Sequence, residues 1–250
     1  MGRLQDRVAI VTGSGGLRGI GRAIAVAFGR EGCRVAVAGG RAPEQVADEI
    51  RALGADAVAI SCDVSVSTEI DAMVQRTEAE LGPIDILCNN AGILRLGRLH
   101  EITMEDWNRT LAVNLTGLFY CTQQVAARMT ARGVGGRIVN ISSACGHNGC
   151  PKQVSYAASK AGVEGFTKSI AEDLAAHGIT ANCIVPGPVY TNMTGSKPPA
   201  DQQPMHWDGS HLPKFGMPAD VAGAAVFLAS EDAGWVTGTE LVVDGGLLVR

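Results

Sequence analysis

The chain has 250 residues, 46% of them apolar and 4% aromatic, with 32 glycines and a formal net charge of -4. This length and apolar content suit one large α/β domain, residues 1–250, with a core that needs no disulfide or metal. The acidic balance and the scattered Lys and Arg argue against a nucleic-acid or anionic-membrane binder, and no apolar run is long enough to cross a bilayer.

Short β-branched runs alternate with helical patterns along the chain. Residues 8–11 (VAIV) read as a buried strand, and a glycine-rich turn follows it. From Ile20, apolar residues recur at Ile24, Ala27 and Phe28, which lie on one helical face, and Gly32 ends that helix. Residues 34–38 form a second strand, and 57–62, 84–88, 137–141, 181–185 and 241–243 are five more candidates. Helical segments are predicted near 43–53, 66–81, 103–131, 155–177 and 218–229, with Thr103 as an N-cap ahead of Glu105 and Asp106. Alternation of this kind predicts a parallel sheet covered by helices on both faces, with ligand sites at the carboxyl ends of the strands. One stretch breaks the rhythm. Residues 192–214, with Pro198, Pro199, Pro204 and Pro213, are expected to form a substrate lid or loop.

No signal peptide is visible and a cytoplasmic location is expected. The seven cysteines, Cys33, Cys62, Cys88, Cys121, Cys145, Cys150 and Cys183, contain no C-x-x-C pair. They are expected to be reduced and mostly buried. His147 and Cys150 have a ligand-like spacing, but a lone pair without a second cluster is expected to be structural, so no metal is predicted.

The turn after the first strand runs Thr12-Gly13-Ser14-Gly15-Gly16-Leu17-Arg18-Gly19-Ile20-Gly21 and opens directly into a helix. Glycines let backbone approach a pyrophosphate, and a helix N-terminus offers unpaired N–H groups to an anion. Further on, Tyr156-Ala157-Ala158-Ser159-Lys160 puts a phenol and an ammonium one helical turn apart. A nearby ammonium favours phenolate and so tunes a phenol for acid–base work.

Together these segments resemble the short-chain dehydrogenase/reductase family, of the 3-oxoacyl-carrier-protein-reductase-like type, over residues 4–249. The glycine loop resembles the family's T-G-x-x-x-G-x-G element with two residues inserted. The resemblance implies a Rossmann-like doubly wound parallel sheet of about seven strands. It also implies a catalytic tetrad of Asn114, Ser143, Tyr156 and Lys160. Ser143 lies thirteen residues before Tyr156, and Ser142 is its neighbour. Tyr156 would exchange a proton with the substrate oxygen, Ser143 would hydrogen-bond that oxygen, Lys160 would reach the nicotinamide ribose, and Asn114 would hold a relay water. Cofactor contacts carried over in the same way are Gly13, Ser14, Gly19, Ile20 and Gly21; Asp63 and Val64; Asn90, Ala91 and Gly92; Tyr156 and Lys160; and Pro186, Gly187, Val189 and Thr191.

The second strand ends in Gly39-Gly40-Arg41, without the acid that binds a ribose 2′-hydroxyl, and Arg18 and Arg41 are placed to meet a 2′-phosphate. NADP(H) is therefore the expected cofactor, with NAD(H) possible. The expected reaction is hydride transfer to or from a small-molecule carbonyl or alcohol, of ketone or 3-oxoacyl reductase type. The alternatives are an NAD-dependent alcohol or sugar/polyol dehydrogenase and a non-catalytic NADP(H)-binding sensor or scaffold. Candidate substrate contacts are Cys145, His147, Cys150, Pro151, Tyr190, Met193, Met205, His206 and Trp207. Arg128 and Arg132 are candidates for an acidic carrier protein at the site entrance. The resemblance further implies a homotetramer, or a homodimer, packed through the helices near 103–131 and 155–177.

Overall fold

The computed structural model describes residues 2–40, 43–193, 211–212 and 216–249. Arg41, Met205, His206, Trp207 and most of the expected lid at 192–214 lie outside the described residues. Seven strands make one parallel sheet: β1 (Val8–Thr12), β2 (Arg34–Ala38), β3 (Ala57–Ile60), β4 (Ile86–Asn89), β5 (Gly136–Ile141), β6 (Ile179–Pro186) and β7 (Glu240–Val243). Their order is β3-β2-β1-β4-β5-β6-β7. The sheet winds one way from β1 through β2 to β3, and the other way from β4 to β7. A crevice for ligand opens where the winding reverses, between the carboxyl ends of β1 and β4. The doubly wound fold expected from the sequence is therefore present.

Every residue of β1 and β6 is buried, as a central parallel strand covered on both faces requires. One face of the sheet packs α1 (Ile20–Arg30), α2 (Pro43–Arg51) and α8 (Pro218–Ala229) around Phe28, Ile24, Val226 and Leu228. The other packs α3 (Ser67–Leu81), α5 (Gly117–Arg132) and α7 (Val154–Ala175) around Ile70, Met73, Val125 and Met129. Thr103 does cap α4 (Met104–Leu111): its Oγ1 accepts the Asp106 N–H at 3.0 Å.

Two local features depart from expectation. The single helix expected over 103–131 is α4 and α5 joined by a π turn, Ala112–Thr116. A one-turn helix, α6 (Ala144–Asn148), stands between β5 and α7, a position where the sequence pattern predicts none. Among the described residues no helix is long and apolar enough to cross a membrane.

Candidate active site

The parallel sheet delivers its functional side chains from the carboxyl ends of the strands. β5 ends at Ile141, and the two serines that follow face different ways. Ser142 points inward, buried, and its Oγ donates to the Lys160 carbonyl at 3.0 Å and to the Glu164 carboxylate at 2.7 Å. Ser143 is only half-buried and forms the N-cap of α6, where its Oγ accepts the Cys145 N–H at 3.2 Å. The same hydroxyl acts on the Tyr156 phenol, where it favours the ionised form against burial.

Tyr156 and Lys160 share one face of α7, with the ammonium 5.6 Å from the phenol ring centre. Lys160 is buried, and its Nζ donates to the Ile141 carbonyl at 2.7 Å. Asn114 sits fully buried inside the π turn. A π turn inserts one residue into a helix and is often found at functional sites, because it turns a side chain out of the ordinary register. The Asn114 amide clasps the main chain of Ile93, accepting its N–H at 2.8 Å and donating to its carbonyl at 3.0 Å. Its Nδ2 also donates to Ser159 Oγ at 3.0 Å, and Ser159 donates to the Tyr156 carbonyl at 2.7 Å. The four residues named from the sequence thus meet in one hydrogen-bonded neighbourhood.

The electrostatics differ from the sequence expectation in one respect. The Y-x-x-x-K spacing predicts a lowered phenol pKa for Tyr156, yet burial pushes it up, and the Ser143 hydrogen bond offsets that only in part. Desolvation disfavours the charged form of either group. Burial likewise pulls Lys160 down, to about 8. An ammonium that is itself costly to hold, and already bonded to a carbonyl, has less to give to a neighbouring phenolate.

The crevice between β1 and β4 has the form of a dinucleotide cradle. At Gly13 φ is +65°, and a Cβ there would lie 2.7 Å from Ala91 Cα. At Gly21 a Cβ would lie 2.6 Å from the Gly13 carbonyl oxygen. Only glycine permits these approaches. Asn90 staples the turn by donating its amide to the carbonyls of Thr12 at 2.9 Å and Gly13 at 3.1 Å. The Thr12 hydroxyl in turn accepts the N–H groups of Asn90 and Ala91. Helix α1 begins after Gly19 with no side-chain cap and no acid in its first turn, which leaves its N-terminal amides for an anion. Ile20 is the first residue of that helix.

The donors of Ser14 serve the fold instead. Its N–H goes to Ala38 at 3.0 Å and its hydroxyl to Val11 at 2.7 Å. Arg18 is exposed and has no ion-pair partner among the described residues. Gly92 lies beside Lys160 and Asn114, whose Nζ and Oδ1 a Cβ there would meet at 3.6 and 3.4 Å.

Around the rim, Asp63 is bound by Arg109 at 2.7 Å and by Ser65. Burial would raise its carboxyl, but these partners outweigh that and hold it at about 2. Val64 next to it is buried. After β6, Gly187 packs so closely on Asp244 that a Cβ would meet Asp244 Cα at 2.7 Å. Val189 pairs with Gly216, and Tyr190 and Thr191 are buried. Burial leaves Tyr190 little surface for substrate.

Two expectations are overturned. Cys145 and Cys150 are not free thiols but a disulfide, with Cα atoms 5.2 Å apart; the α6 turn folds the chain back after four intervening residues. Of the seven, Cys33, Cys62, Cys88, Cys121 and Cys183 are free and buried. His147 faces two carboxylates, while the Cys150 sulfur is taken up by the disulfide. Its Nε2 lies 3.6 Å from Glu164 and 3.0 Å from Glu240, a group geometrically able to hold a cation. The Lys168 ammonium, 2.5 Å from Glu240, already supplies positive charge there. Arg128 and Arg132 do not stand at the entrance. Arg128 pairs with Glu78 at 3.0 Å, and Arg132 with Asp85 at 2.8 Å, just before β4 at the amino end of the sheet.

A family model described as "Enoyl-(Acyl carrier protein) reductase" matches residues 13–248. The chain is 39% identical over 253 residues to a 3-oxoacyl-[acyl-carrier-protein] reductase of Synechocystis sp., covering 100% of both sequences. It is 41% identical over 247 residues to nodulation protein G of Azospirillum brasilense, covering 98% of this chain and 99% of that one. Among solved structures, a putative short-chain dehydrogenase/reductase from Burkholderia xenovorans superposes with a TM-score of 0.92 at 38% identity, covering 100% of this chain and 99% of that one. A putative gluconate dehydrogenase from Agrobacterium tumefaciens gives 0.91 at 34% identity, covering 99% and 98%. With likeness of sequence and fold along nearly its whole length, the chain belongs to the short-chain dehydrogenase/reductase family and is an NAD(P)-dependent oxidoreductase acting on CH–OH or C=O groups.

Proposed function

We propose that this protein reduces a ketone or 3-oxoacyl thioester with NADPH, using Tyr156 as the proton donor. The observation that carries this reading is the placing of Tyr156 one helical turn from a buried Lys160, 5.6 Å from its ring, with Ser143 at the end of β5 and the glycine-floored crevice beside them. The crevice fits the cofactor: the Gly13 and Gly21 positions have no room for a side chain, and the α1 N-terminus is uncapped. When bound, the reduced nicotinamide supplies the hydride that goes to the carbonyl carbon.

The chain's own groups do the rest. Ser143 donates to the carbonyl oxygen and orients it. Tyr156 gives that oxygen its proton, and the burial that raises the phenol's pKa keeps the proton in place at neutral pH until negative charge develops on the substrate. Lys160 then stabilises the phenolate left behind. Asn114 fixes the π turn against Ile93 and Ser159 and holds the water that returns a proton towards Lys160.

The preference for the 2′-phosphorylated cofactor rests on a second strand that ends without a carboxylate and on the exposed Arg18. The 3-oxoacyl substrate rests on the name of the Synechocystis relative. The engagement of Arg128 and Arg132 at the amino end of the sheet favours a small free ketone or keto sugar over a carrier-bound one, in line with the gluconate dehydrogenase name of one structural relative. Residues 1–250 act as one unit, cytoplasmic and assembled as a homotetramer or homodimer. An edge-on pair on α5 and α7, Phe119 and the neighbouring Phe166, offers an apolar face for such packing.

The test is the initial rate of NADPH and NADH oxidation against an acetoacetyl thioester, aryl and alkyl ketones, and keto sugars. Faster turnover with NADPH on one carbonyl class is expected. Bound cofactor with no turnover in either direction would leave only a sensor or scaffold.

A further inference from the structure

The segment between Ser143 and Tyr156 is built in two unlike halves, and the Cys145–Cys150 disulfide ties them together beside a single hydrogen bond from the Gly149 N–H to the Cys145 carbonyl at 3.1 Å. The first half is anchored. Ser143 caps α6, the Cys145 N–H donates to the Ser143 hydroxyl at 3.2 Å, and Gly146 packs so tightly on α7 that a Cβ would lie 2.6 Å from Glu164 Oε1. The second half is exposed, and is held at its ends by His147 on Glu240 at 3.0 Å and by the Lys152 carbonyl, which accepts the Gly97 N–H at 2.9 Å. His147, Asn148, Gly149, Pro151 and Lys152 are exposed, and Gly149 and Lys152 both have positive φ, 66° and 63°. A Cβ at Gly149 would meet nothing within 4 Å. This half runs directly into Gln153 and Tyr156 through the hydrogen bond from Gln153 N–H to the Cys150 carbonyl at 3.2 Å.

We propose that Cys145 and Cys150 form a thiol–disulfide exchange site that sets the affinity for the carbonyl substrate. The proposal rests on the substrate site lying beside Ser143 and Tyr156, as in the proposed function. Both sulfurs belong to half-buried residues at the surface, within reach of a small thiol. The five free cysteines are buried, and desolvation raises all of their thiols, with Cys62 pushed to about 11 and Cys88 and Cys183 to about 12. Thiolate is the reacting form, so exchange is confined to the one pair.

The oxidant is a low-molecular-weight disulfide such as oxidised glutathione. One protein thiolate attacks its sulfur, forming a mixed disulfide and releasing one glutathione thiolate. The second protein thiolate then displaces the remaining glutathione and closes the bridge. Two protein thiols are oxidised, one glutathione disulfide is reduced to two thiols, and the two thiol protons pass to the released thiolates. Dithiothreitol runs the exchange in reverse.

In the bridged state the exposed half is held against the anchored half, and the wall beside Ser143 is preformed. Reduction frees residues 149–151 while Gly97 still holds Lys152, so substrate must order this short stretch on binding, a cost that appears in KM. The cofactor crevice, built on β1, β4 and α1, is untouched.

The experiment compares the full-length enzyme with NADPH bound after treatment with oxidised glutathione or with dithiothreitol. Alkylation of the denatured protein and mass measurement count the thiols. Kinetics use acetoacetyl-N-acetylcysteamine, and hydrogen exchange follows residues 145–153. Five alkylated thiols are expected after oxidation and seven after reduction. Reduction should raise KM roughly fivefold or more while leaving NADPH affinity constant, and should speed exchange in 145–153. The double variant Cys145→Ser/Cys150→Ser should show the same KM under both treatments. Seven alkylated thiols after oxidation, or a bridge whose reduction changes neither KM nor exchange, would overturn the proposal. If neither state turns over, the reductase reading fails, and the exchange measurement alone decides whether the bridge orders this wall.

Discussion

Lys160 is tied to Ile141: its ammonium donates to that carbonyl at 2.7 Å, so the last residue of β5 fixes the lysine of α7 while the next two residues present the serines. One strand end therefore registers three functional groups against each other. Its electrostatic cost falls on the lysine, which burial pulls down to about 8.

That cost is measurable as a pH dependence of stability. Above about pH 8 the folded chain has released this proton, while the unfolded chain holds it to an ordinary lysine value near 10.4. The lysine's contribution to stability therefore grows as pH rises across this window and is lost as pH falls back through it to about 8. Buried thiols run the other way. Cys88 and Cys183, pushed to about 12, keep protons that the unfolded chain has shed, and their contribution fades with rising pH. Subtraction isolates the lysine. Cofactor-free Lys160→Met should be more stable than wild type at pH 7 by up to about 3 kcal/mol, with the gap narrowing towards pH 10. Urea unfolding at pH 7, 8.5 and 10 checks this; a gap independent of pH would refute the assignment.

Tyr156→Phe removes the phenol hydroxyl but keeps the ring. Cofactor affinity, read by NADPH fluorescence, should hold, while kcat falls at least ~100-fold. Turnover near wild type would end the role proposed for the tyrosine.

Asn114→Ala leaves the N–H and carbonyl of Ile93, both clasped in the wild type, without partners. Stranded main-chain groups cost about 1–3 kcal/mol each. A loss of about 2 kcal/mol, or about 4–8 °C in Tm for a chain of this size, is expected, together with lower kcat. Unchanged thermal unfolding would show that water takes over both groups.

Arg18→Ala should weaken NADPH binding about tenfold and leave NADH unaffected, because a charge-assisted hydrogen bond to phosphate is worth roughly 1.5–3 kcal/mol and NADH has no such group. Equal losses with both cofactors would mean that Arg18 supports the glycine loop and does not read the phosphate.

Glu164 accepts from Ser142 at 2.7 Å and so braces the serine pair from behind. A glutamine in its place would still accept that bond through the amide oxygen, whereas an alanine would not. Glu164→Gln should therefore retain kcat within about twofold and Glu164→Ala should lose roughly tenfold, the value of one buried hydrogen bond. Equal kcat in both variants would dismiss the brace.

The strands and long helices were legible because each buries a face, and burial writes its period into the residues. β2 falls at 34–38 and α8 at 218–229 as predicted. The glycine loop and the Y-x-x-x-K spacing were legible because their geometry is local. What the sequence hid depends on neighbours distant along the chain or on a single turn. The π turn at 112–116 differs from an α turn by one residue, too little for periodicity to register. The partners of Arg128 and Arg132, Glu78 and Asp85, lie some 50 and 47 residues away. The Cys145–Cys150 bond needs the positive-φ turn at Gly149 to bring its ends together. Ser14 sits inside a phosphate-loop pattern, yet only the packing of β1 against β2 shows that its donors are spent on Val11 and Ala38.

The two rims of the sheet carry unequal burdens. At the amino rim Arg7 and Arg137 share Glu231 at 2.7 and 3.1 Å, and Asp85 takes Arg132 together with the Val8 N–H. These contacts stitch the beginning, middle and end of the chain. The opposite rim carries the glycine loop and the α6 turn. Substitutions at that carboxyl rim therefore leave this stitching in place. That separation makes the fold evolvable, and relatives on one scaffold bear names as far apart as 3-oxoacyl-[acyl-carrier-protein] reductase and gluconate dehydrogenase.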